Sequence, residues 1–210
     1  MKLKTYLSCA AIGAIGMAAS HATLITFDDV GLNALDDITT QYAGQGVTFG
    51  GLTDGGALVN IAVSGNSVFS DNNPVSSPLS LSNFFGGSGS NRAHVMEIIF
   101  SSSASGISFY YDGAGGSGSS TIFNVYSTTH TLLEAFSVAA AVDGNYHLVN
   151  VGDANVGEID ILNPVSGWGH YLDNLSFNLD ETGRTPDAAS TAALMAGSLA
   201  LLGLIRRKIS

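Results

Sequence analysis

Short stretches of alternating side chains, separated by glycine-rich turns, recur through the chain and limit what it can fold into. In residues 57–63, for example, Ala57, Val59 and Ile61 occupy alternate positions. This period of two residues is typical of β-strands, whereas no part of the central region has the period of a helix. The sequence therefore predicts an all-β fold.

Ten segments carry the strand signal. They are Leu24–Phe27, Gly46–Gly51, Ala57–Val63, Val95–Phe100, Gly106–Tyr111, Thr121–Ser127, Leu132–Val138, Tyr146–Val151, Val156–Leu162 and Tyr171–Leu179. Residues 64–92 are rich in Ser, Asn, Gly and Pro, which predicts a turn at 71–74 and a flexible loop at 86–90. No repeat of 20–50 residues is evident, so a jelly-roll-like β-sandwich of about nine or ten strands is expected rather than a propeller or solenoid.

The N-terminus has the pattern of a secretory signal. Lys2 and Lys4 precede an apolar run from Tyr6 to Ala19, and small residues end at Ala22. We expect a signal helix over residues 1–22 that is removed after Ala22; a permanent N-terminal anchor is the alternative. The single cysteine, Cys9, lies inside this segment, so the mature chain depends on its core rather than on disulfides.

Negative charge dominates the body of the chain. Residues 23–183 contain 16 Asp and Glu but one basic residue, Arg92, which gives 1 − 16 = −15 with His neutral. Because the negative charge of this region repels the negatively charged phosphate backbone, the sequence predicts no nucleic-acid partner. We expect one β-sandwich domain over residues 23–180.

The C-terminus has three parts. A linker with the motif Pro186-Asp187 spans residues 181–187, an apolar segment spans 188–205, and a basic tail spans 206–210. As a helix, the 18-residue apolar segment would be about 27 Å long, close to the roughly 30 Å of a bilayer core. Its large apolar residues surround the helix instead of lining one face, which favours a transmembrane helix over a buried amphipathic one.

This order of motif, helix and Arg206-Arg207-Lys208 resembles the sorting segment of PEP-CTERM proteins, in its VPDSG-like form. The resemblance implies that the C-terminal helix holds the protein in the membrane and that a membrane protease processes it near Pro186 and Asp187. It also implies final sorting to the cell surface or the extracellular matrix.

Three carboxylates are candidate metal ligands. Asp28 and Asp29 follow the first predicted strand, and Asp173 has the same parity as the apolar side chains Leu175 and Phe177 in the last one. A carboxylate aimed at a core edge is costly unless it is paired or binds a metal, and Ca²⁺ prefers such oxygen ligands. Calcium is one interpretation; acceptance of backbone N–H bonds by Asp173 is the other.

The body also resembles carbohydrate-binding modules of the galactose-binding-like type, through Tyr171, Asp173 and the Leu175/Phe177 alternation. The resemblance implies that the calcium would be structural and that an extracellular polysaccharide is a possible partner. Trp168, between two glycines, and Tyr171 are the candidate glycan contacts, because a sugar ring packs on an aromatic face. A core position for Trp168 is the alternative.

No catalytic residue is predicted. Glu158 and Asp160 would share one strand face, as in a motif of family 16 glycoside hydrolases, but Asn163 stands where that motif has its third acid. The sequence favours a non-enzymatic, exported sandwich. Two alternatives remain open, a glycan-processing hydrolase that uses Glu97, Glu134 and Glu158, and a structural surface protein without a small ligand.

Overall fold

The chain forms an antiparallel β structure in the computed structural model. The structure describes residues 22–28, 32, 36–53, 56–65, 75–76, 79–85, 88–113, 120–139, 146–162 and 169–180. Strands account for nearly all regular structure in these ranges, which confirms the predicted all-β class. One short 3-10 helix, Ala43–Gln45, precedes the second strand.

Thirteen strands lie within the described residues. They are β1 Thr23–Ile25, β2 Val47–Leu52, β3 Leu58–Val59, β4 Ala62–Gly65, β5 Leu79–Ser82, β6 Phe84–Phe85, β7 Ser88–Arg92, β8 Val95–Gly113, β9 Ser120–Ser127, β10 Leu132–Ala139, β11 His147–Asn150, β12 Val156–Leu162 and β13 His170–Leu179. All strands except β6 and β7, which form a separate hairpin, are hydrogen-bonded into one antiparallel network.

The 19-residue strand β8 organises this network. Its first half pairs with β2 and β12, and its second half pairs with β11 and β13. We call the strands β10-β9-β12-β8-β2-β3 the first sheet, and β11-β8-β13 with β1, β5 and β4 the second sheet. A single strand therefore crosses from one sheet to the other.

The two sheets pack face to face. Phe123 of β9 lies 5.9 Å from Phe109 and 5.1 Å from Tyr111, measured between ring centroids, although β9 does not pair with that half of β8. Phe100 and Phe177 meet in the same way at 5.1 Å. These contacts across the core define a β-sandwich whose interior is filled by inward-facing residues of both sheets.

Some predicted strand limits are wrong, for identifiable reasons. Residues 57–63 form two strands instead of one, because the chain at Ile61 bonds to the 38–39 segment: Ile38 N–H donates to the Ile61 carbonyl, and the Ile61 N–H donates to Thr39 Oγ1. The predicted strands 95–100 and 106–111 are both parts of β8, whose pairing continues through Ala104.

The serine-rich middle of the chain was expected to be irregular but contributes strands. Ser88–Arg92 is β7, so the predicted loop 86–90 is in part a hairpin strand. Leu79–Ser82 is β5, which is fully buried and pairs with β13. Burial between two strands orders this polar sequence, and a single-sequence pattern does not register that tertiary effect.

Several predicted features lie outside the described residues. These are the signal helix 1–22 except its last residue, the turn 71–74, and the C-terminal segments 181–187, 188–205 and 206–210 with the motif Pro186-Asp187. In the parts of the chain that the structure does describe, no helix has the length and apolar character needed to cross a membrane.

Candidate functional site

A group of polar side chains lies on the solvent-facing side of the first sheet. Strand alternation turns Ile159 and Ile161 of β12 into the core and leaves Glu158 and Asp160 pointing outward. The group consists of Glu97 on β8, Asn124 and Tyr126 on β9, and Glu158 and Asp160 on β12, and we call it the acidic face.

Strand register places these residues side by side. Asp160 is opposite Glu97 on one neighbouring strand and opposite Asn124 on the other, while Glu158 is opposite Tyr126. Directly opposite residues in antiparallel strands have Cβ atoms about 4.5–5.5 Å apart. One carboxylate oxygen from each of Glu97, Glu158 and Asp160 lies within 4.8 Å of the other two.

Glycine makes room for this arrangement. Gly50 of β2 is opposite Glu97, and a Cβ atom at Gly50 would lie 2.6 Å from Glu97 Oε2. Any larger residue would therefore push the Glu97 carboxylate aside. The absence of a side chain at position 50 leaves the edge of the acidic face open on the β2 side.

An aromatic pair borders the carboxylates. The imidazole of His130, in the turn after β9, stacks on Tyr126 with ring centroids 4.5 Å apart and planes inclined by 6°. His130 Nδ1 also lies 3.2 Å from Glu158 Oε2, and the His130 side chain is 67 % exposed. The stack offers flat aromatic surface next to hydrogen-bonding groups.

The proximity of the acids alters their protonation. Partial burial, then the charge of Glu158 and a hydrogen bond to it, raise the pKa of Asp160 to about 7. Partial burial, followed by the charge of Glu158, also raises the pKa of Glu97. At neutral pH Asp160 is therefore protonated in part of the population, and it can donate a hydrogen bond as well as accept one.

This arrangement supports two kinds of chemistry. Three clustered carboxylates are a geometry in which a divalent cation could be held, and they are the one such group of His, Cys, Asp or Glu among the described residues. Carboxylates and an amide beside an aromatic stack also match the hydroxyl groups and the apolar ring face of a sugar.

We expect the Asp160→Asn variant to lose less stability than the wild type as the pH rises. The folded pKa of about 7 exceeds the ordinary value of 3.8, so the stabilising contribution of Asp160 is fully present below pH 3.8 and is lost as the pH rises through about 7. Urea unfolding of both proteins at about pH 5 and about pH 8 measures the difference.

The comparison between the two proteins isolates this group. Burial lowers the pKa of His170 to about 3. Its contribution to stability therefore increases with pH, opposite to that of Asp160, but by the same amount in both proteins. Wild type and Asp160→Asn curves that run parallel between the two pH values would contradict the proposed coupling of Asp160 to its neighbours.

The structure brings two of the three predicted metal ligands to one region. Asp173 is fully buried: Ser76 N–H donates to its Oδ2 at 2.7 Å, and Ser76 Oγ and Asn174 N–H donate to its Oδ1 at 2.8 and 2.7 Å. Asp28 Oδ1 accepts the Leu79 N–H at 2.8 Å. Asp29 lies outside the described residues.

These hydrogen bonds match the second interpretation of Asp173, as an acceptor of backbone N–H groups. Burial raises the pKa of Asp173, its hydrogen bonds with Ser76 and Asn174 act in the lowering direction, and the charge of Asp28 adds to the rise. In the described residues Asp173 therefore joins β13 to the 75–76 segment. Calcium binding at Asp28, Asp29 and Asp173 stays a prediction.

The structure describes one of the two predicted glycan contacts, Tyr171, and buries it. Tyr171 is 3 % exposed, so its ring offers no open face to a sugar. Trp168 lies outside the described residues, and its contact with a ligand stays a prediction. Sequence reasoning did not place Tyr126, Asn124 and His130 beside Glu158, because only the pairing of β9 with β12 brings them together.

The sequence indicates the three acids separately but does not link them as a group. The alternation of Glu158 and Asp160 signals a shared face, whereas Glu97 is 61 positions earlier in the chain than Glu158 and no local pattern links them. Glu134, the other acid in the hydrolase alternative, shares strand parity with Phe136, which packs against the core, and is not part of the acidic face.

Comparison with known proteins gives no family. No family model matches the chain, and no curated protein sequence matches it significantly. Several solved structures show a distant likeness, and two of them illustrate it. The K2 cleaved adhesin domain of Lys-gingipain has a TM-score of 0.49 at 11 % identity, over 75 % of this chain and 99 % of that one.

The second structure contains the N-terminal CBM22-1 and GH10 modules of Clostridium thermocellum endo-1,4-β-D-xylanase 10B, complexed with xylohexaose. It has a TM-score of 0.23 at 11 % identity, over 68 % of this chain and 26 % of that one. Likenesses this distant do not identify a ligand or an activity for this chain.

Proposed function

We propose that this chain is an exported, non-catalytic, jelly-roll-like β-sandwich that binds glycan through its acidic face. The observation that carries the proposal is the side-by-side placement of the Tyr126–His130 stack, the Asn124 amide and the carboxylates of the acidic face on one sheet. A sugar presents an apolar ring face and a rim of hydroxyl groups, and this surface offers a partner for each.

Charge narrows the class of glycan. The body carries a formal charge of −15 over residues 23–183, and the described part of the acidic face contains no Lys or Arg. Sulfated and uronic-acid polysaccharides would be repelled, so a neutral polysaccharide is the proposed ligand. Hydrogen bonds from its hydroxyl groups would be received by Glu97, Glu158 and Asp160.

Replacing Tyr126 by Ala is expected to weaken binding of a neutral polysaccharide at least tenfold. Truncation of one well-placed aromatic contact typically costs more than 1 kcal/mol of binding free energy, and a factor of ten corresponds to about 1.4 kcal/mol. Affinity electrophoresis against a panel of neutral and acidic polysaccharides measures this effect.

Tyr110→Ala provides the matched control, because Tyr110 is a partly exposed tyrosine on the second sheet. This variant should bind like the wild type. Equal weakening by both substitutions, or wild-type binding by Tyr126→Ala, would refute binding at the acidic face.

The proposed route out of the cell rests on the two ends of the sequence. The signal pattern of residues 1–22 supports export, and the PEP-CTERM-like order of Pro186-Asp187, helix and basic tail supports a transient membrane anchor that a protease removes. Mass spectrometry of the surface form should find a C-terminus near Pro186; an intact end at Ser210 would refute processing.

Calcium is proposed as a structural ion near Asp28, Asp29 and Asp173. The support is that Asp173 and Asp28 accept the N–H groups of Ser76 and Leu79, which are three positions apart in the chain, and that the charge of Asp28 contributes to the raised pKa of Asp173. A ligand that binds only the folded state raises its stability. Metal-stripped protein should therefore melt at a higher temperature with Ca²⁺ than with EDTA, and identical melting temperatures would refute the calcium site.

A glycan-processing hydrolase is the second candidate, favoured by one observation. Carboxylate oxygens of Glu97, Glu158 and Asp160 lie within 4.8 Å of one another, and glycosidases use a pair of neighbouring carboxyl groups of which one has a raised pKa, as Asp160 does. Polysaccharide cleavage that disappears in Glu158→Gln would establish this candidate and overturn the non-catalytic proposal.

A further inference from the structure

A concave region separate from the acidic face lies where β8 passes from the first sheet to the second. Ala104 of β8 pairs there with Val156 on one side and with Leu179 on the other. The space encloses about 250 Å³. We call it the corner pocket; its principal lining residues are Ser103, Ser105, Asn155, Asn178, Leu179 and Asp180.

Irregular backbone shapes the corner pocket. Gly106 and Asn155 have positive φ angles of 58° and 67°, and the register of β13 shifts between Ser176 and Asn178. A Cβ atom at Gly106 would lie 2.8 Å from Asn178 Nδ2, so only glycine leaves the amide in its place. Bulges of this kind re-aim side chains at the ends of sheets.

Hydrogen-bond donors and acceptors both line the corner pocket. Ser103 Oγ donates to Asn155 Oδ1 at 3.2 Å, and Asp180 N–H donates to the Ser103 carbonyl at 2.6 Å. Among the described residues, none forms a hydrogen bond with the amide of Asn178. The pocket therefore combines amide and hydroxyl donors with amide, hydroxyl and carboxylate acceptors.

This chemistry excludes several classes of ligand. Among the described residues, the lining contains no Lys or Arg and includes the carboxylate Asp180, so these residues would repel phosphate, sulfate and carboxylate groups. The described lining residues also include no aromatic side chain, and the apolar ones are two alanines and Leu179. The volume is below the roughly 300 Å³ at which pockets for drug-sized ligands begin.

We propose that the corner pocket binds one neutral sugar ring, such as the end of a glycan chain, by hydrogen bonds to Asn155 and Asn178. The choice of a sugar as ligand rests on the proposed glycan-binding function, but the site lies apart from the acidic face. The protein would then hold a polysaccharide along one sheet and recognise a terminal residue at the corner.

Saturation-transfer NMR of the full chain with neutral monosaccharides, D-glucose, D-galactose and D-mannose, tests the proposal. We expect binding of at least one sugar, and at least tenfold weaker binding in Asn178→Ala and in Asn155→Gly. Glycine at position 155 keeps the positive φ angle, so this variant removes the amide without straining the backbone.

The matched control is Asn150→Ala, which removes an exposed amide from β11 outside the pocket and should leave sugar binding unchanged. Absence of binding to all three sugars, or binding unaffected by both pocket substitutions, overturns the proposal. If polysaccharide binding persists in such a case, the proposal for the acidic face still holds. Binding of a monosaccharide without binding of any polysaccharide would refute the acidic face as a glycan site and support the corner pocket.

Discussion

The Phe123→Ala variant is expected to unfold with about 3–5 kcal/mol less free energy than the wild type. Phe123 is fully buried and contacts three aromatic rings, Phe109 and Tyr111 of the second half of β8 and Phe136 of β10. Its loss leaves a cavity between the two sheets that the surrounding rings refill only in part. Urea unfolding, monitored by far-UV circular dichroism, measures the change in unfolding free energy.

Ile122→Ala is the control, because the neighbouring residue on β9 points outward and is 40 % exposed. Alternation predicts a much smaller loss of stability there, since little apolar surface leaves the core. Similar losses at positions 122 and 123 would contradict the assignment of the inner and outer faces, and with it the position of Asn124 and Tyr126 on the acidic face.

The Asp173→Ala variant is expected to lose about 2–4 kcal/mol of unfolding free energy. The substitution removes the acceptor of the part-buried Ser76 and Asn174 N–H groups, and a buried donor left unsatisfied costs about 1–3 kcal/mol. Burial of the Asp173 carboxylate also costs free energy, as its raised pKa indicates. The substitution removes this cost, which offsets part of the loss. Thermal and urea unfolding at neutral pH measure the result.

Asp173→Asn separates hydrogen bonding from charge. The amide oxygen keeps one acceptor while the negative charge is lost, so stability between that of the wild type and that of Asp173→Ala is expected. A wild-type value for Asp173→Ala would show that the bonds to Ser76 contribute nothing, and would contradict the anchoring of the 75–76 segment on β13.

Sequence pattern predicted the fold class because alternation is a local property. Inward residues such as Ile159 and Ile161 recur every second position, and the turns between strands carry glycine. The pattern did not reveal that residues 95–113 form one strand, since its continuity depends on partners on both sides of Ala104. Nor did it reveal β5, which is ordered by burial against β13.

Only part of the candidate site could be predicted from the sequence. Glu158 and Asp160 could be placed on one face from their spacing alone, but their partners Glu97 and Asn124 come from other strands through long-range register. The sequence predicts Tyr171 as a glycan contact, whereas the structure buries its side chain. Exposure of an aromatic side chain depends on which strands cover it, and a linear pattern does not contain that information.

The most direct test of glycan binding at the acidic face is an NMR titration of the ¹⁵N-labelled chain with the neutral polysaccharide that it binds most tightly. We expect the largest amide shift changes at Glu97, Asn124, Tyr126 and Asp160, on three adjacent strands of the first sheet. Shift changes confined to the second sheet, or none at saturating polysaccharide, would contradict the proposed function.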